Sequence, residues 1–208
     1  MSNESEKRQE QMKAIRDELL TFTASPLYEY RTTHGYFPVI GEGSHTSKIV
    51  FIGEAPGENE AKTARPFCGA SGRILDELLR SIDMPREDVY ITNIVKDRPP
   101  ENRDPTTEEI ELYAPFLDRQ LAIIKPTIIA TLGRFSMAYI LNRLGLGDQL
   151  TQISTMHGKS FTATPDWGTV QIIPLYHPAV ALYQASMKQS LLEDFKIIKK
   201  VLEADIAA

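Results

Sequence analysis

Apolar positions along the chain follow two periods. Met12, Ile15, Leu19 and Leu20 stand at helical spacing among charges, which predicts an amphipathic helix over residues 4–20. Residues 21–46 mix aromatics, Gly and Pro without a period and read as an ordered loop. The run KIVFIG at 48–53 is short and wholly apolar between its ends, as in a strand buried on both faces. A loop dense in Gly and Pro follows at 54–69. Over 70–82, Ile74, Leu75, Leu78, Leu79 and Ile82 fall on one helical face.

The rest of the chain repeats this order. Residues 88–95 (DVYITNIV) predict a second strand, and 96–105, with three prolines, a loop. A helix is expected over 106–124, opened by the capping-box pair Thr106 and Glu109. Pro115 inside it predicts a kink or a break. A third strand at 127–132 leads through Gly133 into a helix ending near Leu144. Residues 151–168 read as irregular or hairpin, 169–175 (TVQIIPL) as a fourth strand, and 180–202 as a last helix. Strands alternating with helices predict an α/β fold. We expect one three-layer αβα sandwich with a central four-stranded parallel sheet. A single domain over 1–208 is expected, with residues 1–5 as a flexible tail.

Composition narrows this picture. At 42% hydrophobic and 25% charged, the chain of 208 residues is typical of a globular domain. No apolar run reaches the length of a membrane span. The polar, Glu-containing start resembles neither a secretory nor an organellar leader. A cytoplasmic monomer without a membrane partner is expected. The net charge of -5 means that any nucleic-acid contact must use a local patch. Cys68 is the single cysteine, so neither an internal disulfide nor a cysteine-ligated cluster is expected. It is read as a small, partly buried residue. His34, His45 and His157 lack partners at metal-ligand spacing, so no metal site is assigned.

In open parallel sheets, ligands bind beyond the carboxyl ends of the strands. Four segments leave strands there: 53–57, 93–100, 133–135 and 177–178. The first, Gly53-Glu54-Ala55-Pro56-Gly57, lets backbone approach a flat ligand. Beyond it, Glu60 can accept a hydrogen bond and Phe67 can offer a stacking face. The loop lacks the Lys-Ser/Thr ending of a phosphate-binding P-loop. About a dozen residues separate it from the next helix, which disfavours a dinucleotide fold. In the second segment, Asn93 can donate and accept at once. Lys96, Arg98 and Arg103 can meet phosphates. In the last, His177 can stabilise a developing oxyanion. Taken singly, each has a plain structural explanation: a turn, a loop cap, a solvated face.

Together, three stretches resemble a known family. GEAPGENEAKTARPFCGASGRILDELL, VYITNIVKDRPPENRDPTTEEI and LYHPA are similar, in this order, to the motifs of family 4 uracil-DNA glycosylases. The resemblance extends over about residues 27–192. It implies release of uracil flipped out of DNA, opening base-excision repair. It also implies roles for residues. Phe67 stacks on the base, Asn93 reads its edge, and His177 supports the leaving uracil. Ala55, Pro56, Gly57 and Glu60 shape the pocket. Lys96, Arg98, Asn102, Arg103, Pro178, Ala179 and Leu182 contact DNA, Leu182 as a wedge or else as a core-facing residue. Some relatives carry an Asp where Ala55 stands, so Glu54 is the carboxylate left to activate water. Alternatives are a glycosylase for another deaminated base, such as hypoxanthine or xanthine, or a non-catalytic DNA-binding relative.

The family usually holds a 4Fe-4S cluster on four cysteines. The corresponding positions here are Phe22, Ser25, Asp97 and Ala114. No cofactor is therefore expected. In its place we expect an apolar plug of Phe22, Leu27 and Phe116, with Asp97 paired to Arg31 or Arg119.

Overall fold

The computed structural model describes residues 2–207. In chain order the helices and strands are α1 (Ser2–Leu20), α2 (Tyr28–Thr33), β1 (Glu42–Gly43), β2 (Ile49–Gly53), α3 (Glu58–Thr63) and α4 (Ala70–Ser81). Next come β3 (Tyr90–Asn93), α5 (Thr107–Ile124), β4 (Ile128–Leu132), α6 (Arg134–Arg143) and α7 (Ile153–Met156). The chain closes with β5 (Phe161–Ala163), β6 (Val170–Leu175), α8 (Val180–Tyr183) and α9 (Ala185–Ala207). Among the described residues, no helix is long and apolar enough to cross a membrane.

The sheet has six strands in the order β1-β3-β2-β4-β6-β5. The four expected strands are its parallel centre. The expectation of four strands in all is corrected by β1 and β5, which pair antiparallel at the two edges. Both are too short, at two and three residues, to carry a readable alternation. The segment 151–168, expected to be irregular or a hairpin, holds the short helix α7 and then β5, which folds back on β6.

Side chains of the central strands alternate between two cores. Val50, Ile52, Tyr90, Ile129 and Ile172 pack with Met12, Ile15 and Leu19 of α1, with α5 and with α6. Ile49, Phe51, Ile91, Ala130 and Ile173 pack with Leu75, Leu78 and Leu79 of α4 and with Leu191, Phe195 and Ile198 of α9. The Phe51 and Phe195 rings stack at 5.7 Å. Burial of each such side chain contributes about 1.5–3 kcal/mol, so both helix layers follow from the strand pattern.

Several helix expectations need correction, beginning with the loops expected over 21–46 and 54–69: these hold the short helices α2 and α3, and α3 opens directly after Gly57 rather than about a dozen residues later. Residues 2–5 form the first turn of α1 rather than a tail; Met1 lies outside the described residues. Helix α5 starts with the Thr106–Glu109 capping box and runs through Pro115 unbroken. Pro115 and Glu111, whose carbonyl loses its helical donor, both lie on the exposed side, where water can satisfy that carbonyl. The last helix is split at Gln184, which is extended.

Candidate active site

The strand ends converge on a cleft of about 620 Å³. Glu54, Ala55, Pro56 and Gly57 line it after β2, Asn93 at the end of β3, and His177 and Ala179 after β6. At the end of β4, Gly133 adopts φ 99°, and a Cβ there would sit 3.4 Å from that of His177. Side chains placed far apart in sequence thus share one wall.

Phe67 is fixed in an uncommon backbone state, φ 47°. Two contacts hold it. Glu60 accepts hydrogen bonds from the backbone N–H of Cys68 (2.9 Å) and Gly69 (2.8 Å). Gly72 of α4 lies so close to the Phe67 carbonyl that no side chain fits there. Glu60 therefore shapes the pocket by gripping this turn. The Phe67 ring lies 5.6 Å from the His177 ring. Gly53 also has to be glycine, because a Cβ would collide with Asn93 Oδ1 and the Phe67 ring.

Asn93 is 2% exposed, and its Oδ1 has no hydrogen-bond partner. A buried acceptor left unpaired costs about 1–3 kcal/mol, which a ligand donor would recover. His177 Nδ1 accepts from the backbone N–H of Ala179 at 3.2 Å, which leaves the ring proton on Nε2. Burial pushes His177 down to about 4, against a smaller opposing pull from Glu60, so the ring is neutral at pH 7. Glu54 goes the other way. Burial, with the nearby Asp104 carboxylate, raises it to about 7, while Arg134 works against the rise.

The expected DNA-contact residues divide. Asn102, Arg103, Ala179 and Leu182 line the cleft, and Leu182 is 44% exposed rather than core-facing. Arg103 is partly committed, since its guanidinium pairs with Glu109. Lys96, Arg98 and Pro178 are corrected. Lys96 is wholly buried and its amine is bonded internally. Burial drives that amine well below the usual lysine range. Arg98 is spent on Asn102 Oδ1 (2.7 Å) and the Tyr36 hydroxyl (2.8 Å). Pro178 is buried. Asn59, Ser71 and Tyr183 also line the cleft. Asn59 and Ser71 lie within the first motif and Tyr183 just beyond the last, but nothing in their residue types marks them as cleft-lining. Tyr183 is 86% exposed beside Leu182, because the break at Gln184 sets both at the mouth.

A second constellation sits on the α1–α5 side. Arg31, 3% exposed, binds both oxygens of Asp97 at 3.1 Å and caps the end of α1 through the carbonyls of Leu19 and Leu20, each at 2.9 Å. Asp97 also accepts from the Tyr113 hydroxyl. Tyr113 in turn lies 2.7 Å from Ser25 Oγ, which accepts from the Leu27 N–H. Phe22 packs edge-on against Phe116 and Tyr113, at 5.0 and 5.6 Å. Of the two partners expected for Asp97, Arg31 takes the place; Arg119 pairs with Glu18. Among the described residues, no group of three or more His, Cys, Asp or Glu could hold a metal ion.

A separate groove of about 700 Å³ is bordered by α5, α6 and Trp167, away from the strand ends. Its Arg119 and Arg143 are already ion-paired.

Comparison with known proteins agrees with this geometry. Residues 40–199 match the family described as the Uracil DNA glycosylase superfamily. The chain is 42% identical to a Type-4 uracil-DNA glycosylase of Sulfurisphaera tokodaii, over 91% of this chain and 84% of that one. It is 45% identical to a Type-4 uracil-DNA glycosylase of Archaeoglobus fulgidus, over 81% and 83%. A third, from Thermotoga maritima, is 38% identical over 95% and 98%.

Proposed function

Starting from the fact that the chain belongs to the uracil-DNA glycosylase superfamily, we propose how this cleft releases uracil from DNA. The protein is a uracil-DNA glycosylase, a hydrolase of N-glycosyl bonds acting in DNA repair. The observation that carries the site assignment is the orphaned Oδ1 of Asn93 in a pocket walled by Phe67 and His177. Uracil presents an N3–H donor that this oxygen can accept. Cytosine has no hydrogen at N3 and cannot make this bond in the same pose. Phe67 stacks on the flipped base, and Ala55, Pro56 and Gly57 close over its edge.

As the bond between C1′ and N1 lengthens, negative charge collects on uracil. His177 donates its Nε2 proton in a hydrogen bond to O2 and needs no positive charge of its own. A water then bonds to C1′ and passes a proton to Glu54; Ala55 has no group for this. The carboxylate of Glu54 must be ionised to accept it. The rate is therefore expected to fall about tenfold per pH unit below about pH 7. Glu54→Gln is expected to lower the rate and flatten that limb. A profile that keeps the same limb in the variant would remove Glu54 from this role.

The positions that hold the 4Fe-4S cluster in the resembling family do not fit it here. They present Phe22, Ser25, Asp97 and Ala114, with no thiolate, and Asp97 is already paired and hydrogen-bonded. Cys68 lies instead on the turn gripped by Glu60. We take the protein to work without a cluster, with the Arg31–Asp97–Tyr113–Ser25 brace in its place, as a monomer on uracil-containing DNA.

The test is base release from end-labelled oligonucleotides. They carry uracil in a single strand, opposite A and opposite G, beside hypoxanthine, xanthine and mismatched thymine. Release at uracil by iron-free protein in the presence of a chelator is the expected result. Release only from another base, or only after iron loading, would overturn the substrate or the cluster-free reading respectively. In the same panel Leu182→Ala should lose more on duplex than on single strands if Leu182 fills the gap left by the flipped base; equal loss would reject that wedge.

A further inference from the structure

Lys96 has no access to solvent, yet its amine is surrounded by acceptors. Thr92 Oγ1 and the main-chain oxygen of Asn93 lie at 2.7 Å and Gln120 Oε1 at 2.6 Å. Gln120, equally buried on α5, passes the network on. Its amide donates to the Ile40 carbonyl at 2.9 Å and to the Tyr90 hydroxyl at 3.0 Å. Such a lysine is expensive to bury, and an apolar side chain of similar length would fill the space at less cost.

Its position explains what it does. The β2 side of this strand end is satisfied by main chain, where Ile94 and Val95 donate to the carbonyls of Gly53 and Glu54 at 3.1 and 3.0 Å. The carbonyl of Asn93 points the other way, beyond the reach of β1, which pairs only with Tyr90 and Ile91. The side chain of Lys96 folds back over three residues and closes that turn. We propose that Lys96, held by Gln120, is a positioning residue for uracil recognition. It pins the main chain of Asn93 so that the side-chain oxygen stays aimed into the pocket. This rests on Asn93 reading the base, as set out above. Lys96 itself touches neither base nor DNA.

A double-mutant cycle tests it, with Asn93→Ala, Lys96→Met and the pair compared in single-turnover uracil release, thermal unfolding and inhibition by free uracil. Lys96→Met is expected to slow release by roughly 100-fold, the scale of a misplaced binding group. It should also weaken inhibition by uracil, while adding little once Asn93 is alanine. Gln120→Leu, which removes the outer half of the network, should show the same dependence on Asn93 if Lys96→Met fails to fold. An equal loss in both backgrounds, or unchanged inhibition by uracil, would overturn the inference. If Asn93→Ala alone leaves release at the parent rate, the fault lies instead with the assignment of Asn93.

Discussion

Replacing His177 with alanine is expected to slow uracil release by roughly 100- to 1,000-fold, the usual cost of deleting one donor to a developing oxyanion. The loss should fall on kcat far more than on KM, because the bond to O2 strengthens only as charge builds. The preset tautomer makes the expectation specific. With Nδ1 engaged by Ala179 and the ring held neutral, Nε2 is the one proton available. His177→Gln, which can still present an N–H, should retain more activity than alanine. Single-turnover rates on a uracil oligonucleotide measure both. A His177→Ala enzyme within a few-fold of the parent would mean that leaving-group stabilisation comes from elsewhere.

The second large effect is on stability. Arg31→Met leaves the Asp97 carboxylate buried beside Tyr113 without its cation, and is expected to cost about 3–5 kcal/mol. Burial already pushes Asp97 upward, against the pull of Tyr113 and Arg31. Without the arginine it should take up a proton on folding, so the variant should regain part of its stability at lower pH. Arg119→Ala is the control. Its pair with Glu18 is exposed on both sides and should contribute no more than about 1 kcal/mol. Urea unfolding of the parent and both variants at two pH values makes the comparison. If the two variants lose equal stability, the brace is not what holds this corner together.

Much of this was legible beforehand because strand ends carry chemistry. Motifs and topology single out Glu54, Phe67, Asn93 and His177, and the folded chain brings all four to one cleft. The misses share a cause. The sequence points Lys96 and Arg98 at phosphates because cations default to solvent. Their burial depends on Gln120 and Tyr36, partners 24 and 62 residues away that only the folded chain brings near. Edge strands β1 and β5 borrow their conformation from β3 and β6. Nothing at Gln184 announces a break, since it is neither Pro nor Gly. By contrast, the pairing of Asp97 with Arg31 could be narrowed to two candidates, because a carboxylate at a buried cluster position requires a nearby cation.

The brace also sets an order of events during synthesis. Arg31 and Asp97 are 66 residues apart, and Ser25 and Tyr113 are 88 apart. As the chain leaves the ribosome, the arginine that caps α1 emerges well before its carboxylate, and the serine waits longer still for its tyrosine. The brace that locks α1 therefore cannot be complete until Tyr113 of α5 has been translated.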